Sequence, residues 1–345
     1  MSLEVIVLGC GSSAGTPVIG CRCSTCSSDN PRNRRTRASV AVRANGTTFL
    51  IDTGPDYRGA RETLLDALDG RTPSIVVATH GHLDHAGLGA WWQDRGVPVL
   101  AGEPDVAQTL GHTDRDIDDL ERFVAACGAP PLVVAEVQAG LEQRKQWSHQ
   151  MRTSSSWREP GDGRWPTALR YPPFQPLRPV SGPVDLPCGL SVELAPGHTP
   201  GNLVVIHHGE ELLFSGDTLL PEITPTPAVQ YHDGQRFPSL PRFLDSLAVL
   251  AAEPDWRTCY PGHGEPFSNV HEVIAANIDQ ARTRTDRLKH DLHEIGPSTL
   301  YALAERMYPR ALRRRFWQII STVQGHLDVL QESGEARFAD GLWSA

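Results

Sequence analysis

Apolar residues fall in short bursts along the chain, and the bursts alternate between a strand-like and a helix-like period. Residues 3–8 and 74–78 are compact, β-rich runs of the kind that builds buried strands. Residues 38–43 and 47–51 read as two strands joined by Asn45-Gly46, a pair that accepts the positive φ angles of a tight hairpin. Helical patterns over 56–68, 84–94, 103–110 and 114–127 are interleaved with these, and 97–100 reads as another strand. The character then changes. Residues 139–183 hold Trp147, Trp157 and Trp165 among many Pro, Gly, Arg and Ser residues. Their poor periodicity predicts a long irregular insertion, which serves a lid or binding loop as well as a plain surface excursion. A second series follows: strands at 190–194, 203–207 and 212–214, a helix at 240–252, and a strand at 257–260. A long helix over 269–294 carries Val270, Val273, Ile274, Ile278 and Leu288. Beyond Gly296-Pro297, Ser298 is placed to cap a helix ending at Met307, a further helix spans 312–330, and 334–338 makes a short wing. Strands with flanking helices recur in both halves. They predict an α+β fold, an αββα sandwich over 1–268, with a small helical, winged-helix-like unit over 269–345.

Composition narrows the classes. With 345 residues, 39% hydrophobic and 21% charged, the chain can bury a large core and is not of disordered type. The net charge of -9 argues against wholesale wrapping of nucleic acid. No apolar run is long enough to span a bilayer. The first residues lack a basic segment and a signal-type cleavage site and read as a strand, so a cytoplasmic location is expected. Seven cysteines are an odd number, and Cys21, Cys23 and Cys26 crowd into six residues. In a cytosolic protein such crowding points to metal more than to disulfides. These three thiolates can fill three corners of a structural zinc site in a loop (10–37) that has few apolar residues to order it.

The densest chemistry is Thr79-His80-Gly81-His82-Leu83-Asp84-His85, directly after a strand. Imidazole and carboxylate are ligands for first-row divalent metals, and burying four such groups together without a metal leaves them competing for partners. His80 and His82 can point one way from the loop, and Asp84 and His85 the other, which suggests two metals side by side. Three more polar groups stand at strand ends: His198, Asp217 and His263. Two other features are weaker. The Gly-rich loop 9–15 lacks both the Walker and the dinucleotide pattern and reads as a turn beside the site as readily as a phosphate cradle. The basic surplus between 281 and 320 fits a packing unit or a homodimer contact better than RNA binding, because no aromatic-interleaved motif accompanies it.

Taken in order, His80-x-His82-x-Asp84-His85, His198, Asp217 and His263 resemble the metallo-β-lactamase superfamily. The resemblance covers roughly four fifths of the chain. It implies that His80, His82 and His198 hold one metal, that Asp84, His85 and His263 hold the other, and that Asp217 bridges them. It implies a dinuclear hydrolase in which zinc, manganese or iron activates a shared hydroxide. Aspartate at 217, where antibiotic-hydrolysing members have cysteine, resembles the hydrolase and phosphodiesterase branches. The segment 8–56, with its Cys cluster, is similar to phosphoribosyl cyclic phosphate phosphodiesterases and to pyrroloquinoline quinone biosynthesis B proteins. In that phosphodiesterase family a His beyond the last active-site His completes a structural zinc site, and here Gly264-Glu265-Pro266-Phe267 stands there instead. From 195 onward the chain is similar to β-lactamase-like hydrolases ending in a winged helix, a group of endoribonucleases and thioester or lactone hydrolases. The expectation is therefore a phosphodiesterase for a small or cyclic phosphate, with a thioester or lactone hydrolase or an endoribonuclease as alternatives. Asp84 and Asp217 serve in catalysis, and His232 is the candidate acid for the leaving group.

Overall fold

Two β-sheets lie face to face with helices on their outer sides. The computed structural model describes residues 3–11, 38–111, 113–155, 169–225, 228–253 and 255–345. Cys21, Cys23 and Cys26, most of the Gly-rich loop, the arginine run 32–37, Trp157 and Trp165 lie outside the described residues.

The first sheet has the order β1 (Glu4–Gly9), β2 (Ser39–Ala44), β3 (Thr47–Ile51), β4 (Ile75–Val77), β5 (Val99–Gly102), β6 (Arg178–Val180). β1 to β3 are antiparallel and β3 to β6 parallel. Asn45 and Gly46 close the β2–β3 hairpin with φ of 51° and 77°. The second sheet uses β7 (Val184–Leu186), β8 (Leu190–Leu194), β9 (Leu203–His207) and β10 (Leu212–Gly216). A separate hairpin, β11 (Gln230–His232) with β12 (Gln235–Phe237), precedes β13 (Thr258–Pro261), which pairs in parallel with β10. Alternate side chains of the two sheets meet in one apolar layer: Val42, Phe49 and Ile51 from one, Val192, Val205 and Phe214 from the other. Burying each large side chain of this kind stabilises by about 1.5–3 kcal/mol.

Helices cover both outer faces. α1 (Ala60–Ala67), α2 (Leu83–Ala86), α3 (Gly89–Gln93) and α4 (Val106–Thr109) lie along the first half. The expected helix over 84–94 is thus two short helices, broken between Ala86 and Gly89. Gly87 keeps helical angles (φ -58°, ψ -31°) and the break falls at Leu88 (φ -96°, ψ 13°), while a Cβ at Gly87 would collide with the Pro55 backbone. α5 (Thr113–Ala126) and α6 (Pro131–Thr153) form a helical pair. α6 departs from that expectation, because residues 139–153 of the stretch expected to be irregular are helical. Its apolar residues change partner along its length. Val133, Val134 and Val137 pack on the C-terminal cluster, Leu141 on a small cluster with Leu120, and Met151 under the first sheet. No single stripe results, which is why periodicity missed it.

α7 (Ser239–Ala252) and α8 (Val270–Ile295) cover the second sheet through Phe243, Leu247 and Ile274. α9 (Leu300–Met307), α10 (Phe316–Glu332) and the two-stranded β14 (Arg337–Ala339) and β15 (Leu342–Ser344) complete the chain. The α9 cap is Thr299, whose hydroxyl accepts from the Ala302 amide at 3.2 Å, and not Ser298. The core of this C-terminal part includes Val124 and Cys127, so it is continuous with the α5 end. Among the described residues no helix is long and apolar enough to cross a membrane.

Candidate metal centre

Every candidate ligand outside the Cys cluster sits just beyond a strand end, on the same rim of the sandwich. The β4 end delivers His80, His82, Asp84 and His85, the β8–β9 turn delivers His198, and the ends of β10 and β13 deliver Asp217 and His263. Two backbone contacts join the two sheets' ends at this rim: the Leu203 amide donates to the Thr79 carbonyl at 2.7 Å, and the Gly264 amide to the Cys10 carbonyl at 2.8 Å.

The side chains converge as two groups with a shared centre. His80, His82 and His198 offer ligand atoms within 4.8 Å of one another, as do Asp84, His85 and His263. His82 Nδ1 lies 2.9 Å from His80 Nε2 and 3.2 Å from His198 Nε2. His85 Nε2 lies 3.3 Å from His263 Nε2. Asp217 stands between the groups, 3.6 Å from His85 Nε2, 3.6 Å from His198 Nε2 and 3.5 Å from His263 Nε2. Its Oδ1 is buried with no hydrogen-bond partner. Facing imidazole nitrogens and an orphaned carboxylate oxygen are what a divalent cation would satisfy.

Partners behind the site orient the rings. Thr79 Oγ1 donates to Asp52 Oδ2 at 2.9 Å, which leaves it to accept from His80 Nδ1 at 3.1 Å and turns the His80 Nε2 lone pair inward. His85 Nδ1 donates to Asp52 Oδ2 at 2.8 Å, and His263 Nδ1 to the Gly11 carbonyl at 2.7 Å. Asp52 also accepts from the Thr79 amide at 2.7 Å and adopts a φ of 59°, uncommon outside glycine and tolerated best by Asn and Asp. A second buried carboxylate, Asp105, ties the two ligand loops together. It accepts from the Gly81 amide (3.0 Å), the Thr199 hydroxyl (2.8 Å) and the Gly201 amide (2.7 Å). The Tyr171 hydroxyl donates to the Gly81 carbonyl at 2.7 Å. Asp105 and Tyr171 escaped the sequence reading. Asp105 follows an ordinary strand, and Tyr171 falls in a stretch without readable periodicity.

Charge is distributed unevenly. Burial, reinforced by neighbouring imidazoles, holds His80 well below its ordinary value. Burial also pulls His198 down to about 4 despite the Asp217 carboxylate. Burial alone would lower His85, but Asp217, Asp52 and Asp84 together more than offset it and raise it to about 9. His263 is likewise raised to about 11 by hydrogen bonds to Asp217 and Asp84, against the opposing effect of burial. Burial opposes ionisation of Asp84 and Asp217, yet the surrounding imidazoles hold both carboxyls below the usual range. The first group therefore presents neutral nitrogens, and the second a carboxylate-rich pocket that attracts cations.

A cavity of about 400 Å³ opens at His82. Its walls include Gln108 and Arg144 on one side and Gln230, Tyr231 and His232 of the β11–β12 hairpin on the other. His232 is partly exposed, 3.7 Å from Asp233, and stands in this wall apart from the two ligand groups. His271, the next His after His263 in the chain, is exposed on α8.

Comparison with known proteins agrees with this geometry. The chain is 27% identical over 295 residues to the probable metallo-hydrolase YqjP of Bacillus subtilis (strain 168), covering 82% of this chain and 84% of that protein. A partial match, 46% identical over 59 residues, links it to coenzyme PQQ synthesis protein B of Rhodopseudomonas palustris (strain TIE-1), over 16% of this chain and 19% of the relative. A metallo-beta-lactamase family protein from Thermus thermophilus has the same fold, with a TM-score of 0.68, 21% identity, and coverage of 99% of this chain and 98% of that one. The model of the Metallo-beta-lactamase superfamily matches residues 32–263, two thirds of the chain and all of the ligand-bearing loops: this protein belongs to the metallo-beta-lactamase superfamily.

Proposed function

We propose that the protein is a dinuclear metal-dependent phosphodiesterase for a small or cyclic phosphate. The observation that carries this reading is the Asp217 carboxylate between the two ligand groups, 3.5–3.6 Å from His85, His198 and His263. A hard oxygen donor at the shared position suits two hard divalent ions and a substrate that offers hard phosphate oxygens. In this reading His80, His82 and His198 would hold one ion and Asp84, His85 and His263 the other, with Asp217 placed between the two groups. When bound, such a pair lowers the pKa of a shared water from ~15.7 toward ~7 and offsets charge developing on the attacked group. Asp52 and Asp105 keep the ligand loops in register, and no side-chain nucleophile is required. His232 can donate a proton to a leaving group held in the cavity. A void of about 400 Å³ accommodates a small molecule. The basic C-terminal stretch is partly neutralised internally, since Arg306 pairs with Asp291 and Glu294, and Lys289 with Glu335. That supports packing over RNA binding for it. The test is turnover of bis-p-nitrophenyl phosphate beside thioesters and lactones with zinc, manganese and iron. Loss of phosphodiester turnover in Asp84→Ala is expected. Thioester or lactone turnover without any on the phosphodiester would overturn the assignment.

A further inference from the structure

The β11–β12 hairpin connects the metal centre to the C-terminal part of the chain, and its contacts run in an unbroken series. At one end the Gln230 side-chain amide donates to the His198 carbonyl at 2.7 Å. Asp233 and Gly234 turn the hairpin with φ of 50° and 74°. At the other end Arg236 makes two parallel bonds to Asp328 of α10, at 2.5 and 2.7 Å. The Asp328 side chain is only 4% exposed and also accepts from Gln324 at 2.7 Å. Just before the hairpin, the Val229 amide donates to the Ser321 hydroxyl, also on α10, at 3.1 Å. Between these anchors Tyr231 is shared by two cavities of about 400 Å³ each. One opens at His82, and the other is lined by Phe123, Arg236, Phe338 and Trp343.

We infer that Arg236 and Asp328 are positioning residues for the substrate cavity: by clamping the hairpin to α10 they set Tyr231 and His232 against the metal centre. The C-terminal part is then a component of substrate selection. The physical basis is rigidity. A two-stranded hairpin is marginal by itself, with only three residues in each strand here, and takes its position from what holds it. A bidentate Arg–carboxylate pair fixes both distance and plane, which a single hydrogen bond does not. Asp52 and Asp105 tie the ligand loops independently of Arg236 and Asp328, and the Gln230 bond is made from the other strand of the hairpin than the clamp, so the clamp acts chiefly on the cavity wall.

This inference rests on the hydrolase reading of the site and not on the phosphate as such. The experiment compares Arg236→Asp, Asp328→Arg, the double charge swap and Arg236→Lys, each loaded with metal. In the two single reversals KM is expected to rise about tenfold, the pattern of lost substrate binding, and kcat to fall with it as His232 is displaced from the leaving group. Metal content should equal wild type. The double swap should recover most of the KM, and Arg236→Lys, which keeps charge without the fork, should fall between. Wild-type KM in the single reversals, or a defect that the double swap leaves in place, overturns the proposal. If the wild type turns over a thioester or lactone and no phosphate diester, the functional reading fails alone and the same pattern is read on that substrate. Hydrogen exchange over residues 229–237 tests the clamp without turnover. Faster exchange in the reversals and recovery in the swap support it, and unchanged exchange overturns it.

Discussion

Asp105 is where the account of the site is most exposed to a stability measurement. Its carboxylate is 2% exposed and accepts three hydrogen bonds of 2.7–3.0 Å from two loops that are distant in sequence. Burial pushes this carboxyl above its ordinary value, and the three donors oppose that shift. Asp105→Ala would leave the Gly81 and Gly201 amides and the Thr199 hydroxyl without their acceptor. A buried polar group left unpaired costs about 1–3 kcal/mol. Three such groups, with some relief from hydroxyl rotation and an entering water, give about 3–6 kcal/mol, a large share of the about 5–15 kcal/mol that holds a domain folded. Asp105→Asn keeps one acceptor but turns an NH2 toward a donor, so about half of that loss is expected. Urea unfolding followed by tryptophan fluorescence reads the stability. Competition with a chromophoric chelator reads the metal affinity of the His80–His82–His198 group, whose two loops Asp105 joins. The expected order in both assays is wild type, then Asn, then Ala. An Ala variant within about 1 kcal/mol of wild type, with unchanged metal affinity, would refute the idea that this carboxylate couples the loops.

Two further outcomes follow from the same structure. A Cβ at Gly262 would collide with the Asp217 carboxylate and lie 2.8 Å from His85 Cε1. Gly262→Ala should therefore cost at least about tenfold in metal affinity while the fold persists, read by chelator competition beside circular dichroism, and wild-type affinity would contradict the packing argument. His326 is buried in α10, and burial with the nearby Arg284 charge lowers its pKa to about 4 against about 6.5 when unfolded. The unfolded chain thus binds the proton first. The stability His326 contributes is present above about pH 6.5 and is lost as pH falls through about 4, roughly 3 kcal/mol in all. His326→Gln should flatten the acid side of the stability–pH curve, and an unchanged slope would sink this assignment.

Much of the site was legible because its chemistry is local. Thr79 to His85 places four ligand-type groups in one turn, and His198, Asp217 and His263 each follow a readable strand, so strand ends and residue types were enough to name them. The groups that orient them were harder to see. Asp52 looked like the end of a hairpin strand, and only the fold brings its carboxylate 2.8 Å from His85, thirty-three residues on. Asp105 and Gln230 act on backbone groups of remote loops, and such pairings leave no spacing in the sequence. Helix α6 stayed hidden because it meets three different clusters along its length. The sandwich emerged because each sheet buries alternating residues against a single layer.

The proposed function requires two cations side by side among these ligands. Crystals grown with zinc or manganese and measured at the metal's absorption edge test it most directly. Two anomalous peaks about 3.5–4 Å apart are expected, one among His80, His82 and His198, the other among Asp84, His85 and His263, with Asp217 between them. A single peak, or two peaks that Asp217 does not touch, would contradict it.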